Sequence, residues 1–201
     1  MKRLAIIAIL AAALCIGANA QEKFYEVKSG IVTMQTNIMG QNTVQHIYFD
    51  DYGAKQATIM EFGGERVRSI EIDGSNVMIN DTEKTAIRMP AMGASTKRIN
   101  FTDKSEKNIK KNKIKEIGTD TVAGMPCTQY TVAVLMMGQV IKQTVSVYKG
   151  ITLMSSTKTD FGEVVQIATR VVEDVEIPAS TFTLPEGVQI QEMDMGMMGG
   201  F

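Results

Sequence analysis

The 201-residue sequence lacks several residue types on which common functional sites are built. It contains no tryptophan and only 6% aromatic residues, so stacking platforms for sugar rings are poorly supplied. His46 is the only histidine, which excludes histidine-rich zinc sites. An excess of one charge is also missing, because 21 basic residues stand against 22 acidic ones. This balance argues against a nucleic-acid-binding protein, which needs a strongly basic surface.

The first twenty residues have the pattern of a secretory signal peptide. Lys2 and Arg3 precede an apolar run over residues 4–16, and small residues at Ala18 and Ala20 fit a cleavage site. A run of about 13 residues is too short to span a bilayer, which takes roughly 20 helical residues. We therefore expect cleavage after Ala20 and a periplasmic location rather than a membrane anchor.

The two cysteines indicate neither a lipid anchor nor a disulfide. Cys15 lies inside the apolar run and follows Leu14, whereas the lipobox of bacterial lipoproteins has a small residue directly before its cysteine. Only Cys127 remains after cleavage, so the exported protein depends on packing and sheet hydrogen bonds. We expect one domain over residues 21–190, followed by a disordered Met/Gly-rich tail over residues 191–201.

Short runs in which apolar and polar residues alternate fill most of the chain from residue 24 onward. This period-two pattern predicts about ten or eleven antiparallel strands, and Asp73-Gly74 is the clearest hairpin turn. Helical periodicity is almost absent, so a sheet of this size must curl on itself or split into layers. We expect a mainly β (α+β) protein. The last long run is expected to bury one face, formed by Val165, Ile167, Val171, Val175 and Ile177.

Residues 91–113 interrupt the strand pattern, and six lysines lie between Lys104 and Lys115. A short helix with Asp103 or Ser105 as its N-cap fits the local sequence, and so does a mobile basic loop. Clustered lysines attract acidic lipid head groups and so suggest transient contact with a membrane surface, although charge runs are usually solvated faces. The lysines are Lys104, Lys107, Lys110, Lys111, Lys113 and Lys115.

The second half of the chain carries short motifs of a known family. The hairpin pattern T-x-x-G-x-x-C-x-x-Y is matched by Thr121, Gly124, Cys127 and Tyr130, and the sequence IPASTFTLPEGV follows the last long run. Together with the strand pattern, these motifs resemble the LolA/LolB-like periplasmic lipoprotein carriers, in particular a branch common in Bacteroidetes-type bacteria. The resemblance implies a strongly curved, unclosed half-barrel with a short helix or loop as its lid. It also implies an apolar concave face that holds acyl chains of lipids or lipoproteins, and we expect a monomer.

Methionine is frequent, with 15 residues in the chain. Its flexible side chain suits a pocket that accepts variable apolar ligands, although methionines also fill gaps in ordinary cores. Those in or beside predicted strands are Met34, Met60, Met78, Met89, Met136, Met137 and Met154. The tail contains Met193, Met195, Met197 and Met198. Because clustered thioethers favour Cu(I), the alternative to ligand binding is an envelope interaction or metal-stress protein whose Met-rich tail binds Cu(I).

No catalytic constellation emerges from the sequence. Cys127 and His46 would have to bridge two distant strands to act as nucleophile and base, and a small buried cysteine is the simpler interpretation. Adjacent carboxylates, Asp50-Asp51 and Glu173-Asp174, lie in a turn or point to opposite sides of a strand. No nucleotide-binding or hydrolase fingerprint is present. We therefore predict a non-enzymatic protein without metal or cofactor that binds a lipid-like or other apolar ligand, through residues that the sequence does not identify.

Overall fold

The computed structural model describes residues 22–38, 41–62, 64–72, 75–89, 98–136, 139–159 and 162–192. The predicted signal peptide and the four tail methionines lie outside these ranges. The first strands are β1 (Gly30–Ile38), β2 (Gln41–Asp50), β3 (Lys55–Phe62), β4 (Glu65–Ile72), β5 (Ser75–Asn80) and β6 (Thr85–Arg88). They are followed by helix α1 (Glu106–Asn112) and by β7 (Lys115–Val122), β8 (Met125–Met136), β9 (Gln139–Tyr148), β10 (Ile151–Thr159), β11 (Gly162–Glu173) and β12 (Ile190–Glu192). Two short 3-10 helices span Asp51–Gly53 and Ala179–Phe182.

All twelve described strands belong to one sheet that does not close. Their order is β12-β6-β5-β4-β3-β2-β1-β11-β10-β9-β8-β7, so β12 and β7 are the two edges in the described part of the chain. Neighbouring strands are antiparallel except β12 and β6, which run parallel. The expected mainly β architecture, a strongly curved and unclosed antiparallel sheet with one short helix, is therefore confirmed.

Hairpin turns join most neighbouring strands, and the turn between β7 and β8 shows which backbone angles make such a tight connection possible. Ala123 and Gly124 connect β7 to β8 with φ angles of 51° and 79°. Both angles are positive, as the two central residues of a type I′ hairpin turn require. The predicted Asp73-Gly74 turn itself lies outside the described residues, but the strands on either side pair as expected, with Ile72 opposite Ser75.

The long strand β11 contains a bulge that overturns its predicted burial. Thr33 in β1 lies opposite Arg170, but Met34 lies opposite Ala168, so β11 carries one extra residue at this point. The extra residue reverses the alternation, and as a result Ala168 is buried while Ile167 is 41% exposed. The predicted face is therefore wrong at Ile167. Val165 shares the side of Ile167, whereas Val171 lies on the opposite side, and Val175 and Ile177 lie beyond the end of the strand.

Two chain segments cover opposite faces of the sheet. On one face the N-terminal residues 22–29 pack beside β1, β2 and the turn after β9. Phe49 on this face lies opposite Gln56, so the next residue, Ala57, points to the other side. There Ala57 packs in a second core cluster under the segment that follows β11, which contributes Phe182, Leu184 and Val188. The sheet is thus covered on both sides. A ligand can bind only on a side where the covering segment leaves space beside the sheet.

Candidate ligand-binding site

A cavity of about 270 Å³ lies between the sheet and the chain segment that precedes α1. Residues from seven adjacent strands, β3 to β8 in sheet order, line it, so this face is the concave one. The apolar lining residues include Val32, Met34, Ile47, Phe49, Val132 and Val145. Small-molecule sites typically begin at about 300 Å³, so the cavity is close to the lower end of that range.

The N-terminal segment, residues 22–29, forms one part of the cavity roof. Its backbone is tied to the turn between β2 and β3, because the N–H groups of Phe24 and Tyr25 donate to the carbonyl oxygen of Tyr52 at 2.9 and 3.0 Å. Gly53 allows this close approach, since a Cβ at that position would lie 2.5 Å from the Tyr25 ring. The alternating pattern that starts at residue 24 therefore becomes a regular strand only where β1 begins.

Residues 98–114, named here the lid segment, form the other part of the roof, and Asn100 fastens them in place. Asn100 is 6% exposed, and its Nδ2 donates to the carbonyl oxygen of Lys23 at 2.9 Å. Its Oδ1 accepts from the backbone N–H of Thr102 at 3.0 Å, and its carbonyl oxygen accepts from Asn108 Nδ2 at 2.7 Å. One residue therefore connects the N-terminal segment, the turn before α1 and α1 itself.

Three polar side chains meet at the rim of the cavity. Gln56 Oε1 accepts from the Tyr25 hydroxyl at 2.9 Å and from Arg98 Nη1 at 2.7 Å. The guanidinium carbon of Arg98 lies 4.3 Å from the centroid of the Phe24 ring, which holds its planar group in place. Burial raises the pKa of the Tyr25 hydroxyl, and the neighbouring Arg98 offsets part of that rise. Tyr25 is therefore a neutral hydrogen-bond donor.

A second hollow, also of about 270 Å³, shares Gln56 and Arg98 with the cavity. Its lining is more polar and includes Thr58, Ser69 and Asn76. The change of polarity follows the strand register, because Phe49 in β2 lies opposite Gln56 in β3. Arg98 and Gln56 thus mark the border between an apolar and a polar half of the site.

The lysine-rich stretch forms helix α1, so the predicted short helix is correct and the alternative of a basic loop is not. Ser105 is its N-cap, and Ser105 Oγ accepts from the N–H of Asn108 at 3.3 Å. Asp103 accepts from the N–H of Ser105 at 2.9 Å, and this hydrogen bond lowers the pKa of the Asp103 carboxyl. The helix has no buried residue, so its own packing holds it only weakly.

The six lysines of this stretch are all exposed. Lys110 forms an ion pair with Glu106 at 2.7 Å, and Lys104 Nζ donates to the Tyr130 hydroxyl at 3.4 Å. Within the described residues, the others form no ion pair; they are Lys107, Lys111, Lys113 and Lys115. Asn112 at the end of α1 lines the cavity, so the basic surface borders the site.

The family motif has a structural role. Gly124 completes the hairpin turn, and Cys127 behind it is buried. Burial raises the pKa of the Cys127 thiol. Tyr130 stacks on Phe101 of the lid segment, with ring centroids 5.5 Å apart. Thr121 lies opposite Pro126 in the same hairpin. The motif therefore builds a hairpin that supports the lid.

Cys127 and His46 do not meet. They belong to β8 and β2, and four strands separate these two in the sheet. His46 Nδ1 lies 3.2 Å from Thr33 Oγ1, while Cys127 Sγ donates to the carbonyl oxygen of Met125 at 3.4 Å. Each side chain thus has a local partner.

The strand methionines contribute little to the site. Among the methionines whose side chains are described, Met34 alone lines the cavity, and it is 2% exposed. Met60, Met78, Met89 and Met154 are half-buried elsewhere in the sheet. The side chains of Met136 and Met137 lie outside the described residues. The composition predicted a pocket lined by several methionines, but among the described side chains only Met34 lines the cavity.

Arg68 is a structural residue that the sequence analysis did not single out. Its side chain is 7% exposed, and its Nη2 pairs with Asp81 at 2.9 Å. Its Nη1 donates to the carbonyl oxygens of Ser180, Thr181 and Thr183. Arg68 thereby fastens the segment after β11 to the convex face. Sequence alternation could have indicated that Arg68 is buried, because it lies on the same face of β4 as the apolar Ile70.

The described ranges contain neither a cluster of metal ligands nor a membrane-spanning helix. No group of three or more His, Cys, Asp or Glu side chains there is arranged to hold a metal ion. No helix there is long and apolar enough to cross a bilayer. The Cu(I) prediction concerns Met193 and its neighbours, which lie outside these ranges, and it stays a prediction.

Solved structures with the same architecture identify the fold. The crystal structure of MucB matches with a TM-score of 0.53 at 11% identity, over 83% of this chain and 60% of that chain. MucB in the Pseudomonas aeruginosa MucA/MucB complex matches with a TM-score of 0.50 at 13% identity, over 77% and 55%. An uncharacterized conserved protein from Thermus thermophilus matches with a TM-score of 0.51 at 8% identity, over 84% and 92%.

These neighbours have the LolA-like fold, so the resemblance predicted from the sequence motifs is confirmed for the architecture. The chain spans a little over half the length of the MucB chains, at 55% and 60%. No family model and no curated protein matches the sequence. At identities of 8 to 13%, the likeness defines the fold alone.

Proposed function

We propose that this protein is a non-catalytic periplasmic binding protein that holds a lipid-like or other apolar ligand against its concave face. The observation that carries the proposal is the cavity of about 270 Å³ lined by Val32, Ile47 and Val132 and roofed by the lid segment. Each methylene group of a ligand that leaves water for such a lining gains about 0.8 kcal/mol. An acyl chain is therefore the ligand that fits the lining best.

The weak attachment of the lid supports reversible ligand entry. Helix α1 has no buried residue, and Phe101 and Asn100 are the buried residues among those that fasten the lid segment. A segment with so few buried contacts opens at low free-energy cost. Opening would enlarge a cavity that is close to the lower size limit of ligand sites.

The location and the absence of catalysis rest on separate arguments. The predicted signal peptide over residues 1–20 supports export, and the periplasmic neighbours MucB and other LolA-like proteins support the same compartment. A raised pKa of the Cys127 thiol and the distant position of His46 disfavour nucleophilic catalysis by this pair. We therefore propose that the protein binds or carries its ligand without converting it chemically. We further propose that it acts as a monomer.

The lysine-rich surface of the lid supports transient contact with a membrane. Lys107, Lys111 and Lys113 are exposed and form no ion pair among the described residues, and each adds about 1 kcal/mol of attraction to an anionic bilayer surface. Ile109, 37% exposed on the same helix, adds an apolar contact. Such docking would bring the roof of the cavity to the lipid from which an acyl ligand comes.

Native mass spectrometry and lipid extraction of the purified protein test the proposal. We expect an acyl-bearing species to co-purify and a fluorescent fatty acid to bind with an affinity that an unlabelled fatty acid can compete away. If the protein carries no acyl species and binds no fatty acid, the proposed function is wrong.

A matched pair of valine substitutions places the binding site. Val134 is half-buried and lines the cavity, whereas Val165 is half-buried on the opposite face of the sheet. Val134→Phe fills part of the cavity and is expected to weaken fatty-acid binding about tenfold, which corresponds to about 1.4 kcal/mol. Val165→Phe is expected to leave the affinity unchanged. Equal effects of both substitutions would argue against binding on the concave face.

A further inference from the structure

The concave face is divided into two halves of different polarity. On the side of β2 the lining is apolar, whereas on β3 and β4 it is formed by hydroxyl and amide side chains. The register sets the border, because Ile47 lies opposite Thr58, and Thr58 in turn lies opposite Ser69. A purely apolar ligand would use only one of the two halves. A ligand with an apolar chain and a polar end would use both.

Arg98 lies at this border and is held there in a fixed position. It lines the apolar cavity and the polar hollow alike. Its Nη1 donates to Gln56 Oε1 at 2.7 Å, and its guanidinium carbon lies 4.3 Å from the Phe24 ring centroid. A guanidinium that is fixed in this way loses little side-chain entropy when it binds a further group.

The charge of Arg98 lacks a counterpart in the described part of the chain. Arg66, Arg68 and Arg88 each form an ion pair with a carboxylate there, but Arg98 forms none. Arg98 is also the one charged residue among the described residues that line the apolar cavity. The polar hollow contains two further charged residues of opposite sign, Lys55 and Glu71. A half-buried cation beside an apolar cavity favours an anionic partner.

On the basis of the proposed function, we infer that the ligand is an amphiphile with an anionic head group and that Arg98 binds this group. Its acyl chain lies in the apolar cavity, and its carboxylate or phosphate accepts from the Nε and Nη2 groups of Arg98, which form no hydrogen bond with the described residues. This edge of a guanidinium binds carboxylate and phosphate in a bidentate manner. The hydroxyl and amide groups of Thr58, Ser69 and Asn76 face the remainder of the head group.

A set of ligands with one chain length and different ends tests this inference on the unmodified protein. Dodecanoate, dodecyl phosphate, 1-dodecanol and inorganic phosphate are compared by displacement of a fluorescent fatty acid and by calorimetry. We expect dodecanoate and dodecyl phosphate to bind at least about tenfold more tightly than the alcohol, and inorganic phosphate not to bind. If the acids and the alcohol bind equally, the inference is overturned and the proposed function stands. If none of the chains binds, both are overturned.

Two arginine variants then assign the preference to a residue. Arg98→Gln keeps a polar side chain but removes the guanidinium charge, and it is expected to weaken dodecanoate binding about tenfold without changing the affinity for 1-dodecanol. Arg66→Gln, at an arginine that is 53% exposed on β4, is the matched control and is expected to change neither affinity. A preference for the acid that survives in Arg98→Gln would show that another residue binds the head group.

Discussion

Arg66 and Arg68 lie two residues apart on β4 and approach the same carboxylate from different surroundings. Arg68 is 7% exposed and its Nη2 lies 2.9 Å from Asp81, whereas Arg66 is 53% exposed and its Nε lies 3.9 Å from Asp81. Solvent screens the exposed pair, and the buried arginine in addition holds three carbonyl oxygens of the segment after β11. The two positions therefore separate a structural arginine from a surface one.

Replacement of these arginines should have very different effects on stability. Arg68→Ala leaves Asp81 and the carbonyl oxygens without their donor, and we expect the free energy of unfolding to fall by about 3 kcal/mol. Arg66→Ala is expected to change it by less than about 0.5 kcal/mol. Urea unfolding followed by circular dichroism measures both values. Equal losses would contradict the role assigned to Arg68.

Cys127 should react slowly with thiol reagents. Burial raises the pKa of its thiol, so at neutral pH less of it is the reactive thiolate than in a free cysteine. We expect alkylation by iodoacetamide at pH 7.5 to be at least about tenfold slower in the folded protein than in urea, and to accelerate as the pH rises toward the raised pKa. Mass spectrometry of the peptide that contains Cys127 measures the rate. Equal rates in both conditions would show an accessible thiol.

The individual residues of the site could not be predicted from the sequence, and the reason is physical. Arg98 meets Gln56, and Asn100 meets Lys23, across 42 and 77 residues of chain. Both contacts depend on how the lid segment crosses the sheet, and no local pattern encodes that crossing. Cys127 was different, because an isolated cysteine in an alternating strand already indicates a buried apolar residue.

Helix α1 is the element whose role can be tested most directly. It has seven residues and none of them is buried, so it depends on the Ser105 cap and on Asn100 rather than on a packed face. Its exposed lysines are therefore free to contact a partner without loss of the fold. That independence makes substitution of the lysines a test of binding and not of stability.

A triple substitution on the lid should weaken binding to anionic vesicles. Lys107, Lys111 and Lys113 contribute about 1 kcal/mol each at such a surface, so their replacement by Gln is expected to lower partitioning onto phosphatidylserine-containing vesicles about 100-fold. The matched control replaces three exposed lysines on other strands and turns, Lys84, Lys142 and Lys158, by Gln. Vesicle co-sedimentation at low salt measures both variants. An equal reduction in the control would mean that net charge, and not the lid, determines binding.

Period-two alternation in the sequence predicted the positions of the strands better than it predicted their turns or the burial of their side chains. Each of the eleven strands from β1 to β11 corresponds to a run with period-two alternation in the sequence. The strand that was missed, β12, has three residues and pairs in parallel with β6 across about a hundred residues, so it has no periodicity to detect. The bulge in β11, opposite Thr33 and Met34, was missed because a bulge is defined by two paired strands together.

Most neighbouring strands of the sheet are joined by hairpins, but one pairing in its middle joins distant parts of the chain. Its central pairing joins β1 to β11, with Gly30 opposite Glu173. Proteins whose folding depends on such non-local strand pairing fold in milliseconds to seconds, whereas helical bundles fold in microseconds to milliseconds. We expect refolding from urea to fall in the slower range, as measured by stopped-flow fluorescence of the tyrosines. Complete refolding within about 100 microseconds would contradict this expectation.

The class of protein was predictable because it depends on patterns that extend over the whole chain. Alternation, short turns and one polar interruption indicated the curved sheet, and the Thr121 to Tyr130 motif indicated the LolA-like fold that the solved structures share. The cavity was not predictable in size, since alternation shows which side chains face inward but not whether they fill the interior. Only the packed structure reveals the space that remains beside Val132 and Arg98.

The position of β1 between β2 and β11 has a consequence for biogenesis. While the chain emerges from the ribosome or from a translocation pore, β1 can pair with β2 at once, but its other edge stays open until residues up to Glu173 have followed. During that interval Val32 and Met34, which are almost completely buried at the end, are exposed to neighbouring chains. A nascent chain of this design is therefore most exposed to aggregation for as long as its last long strand is missing.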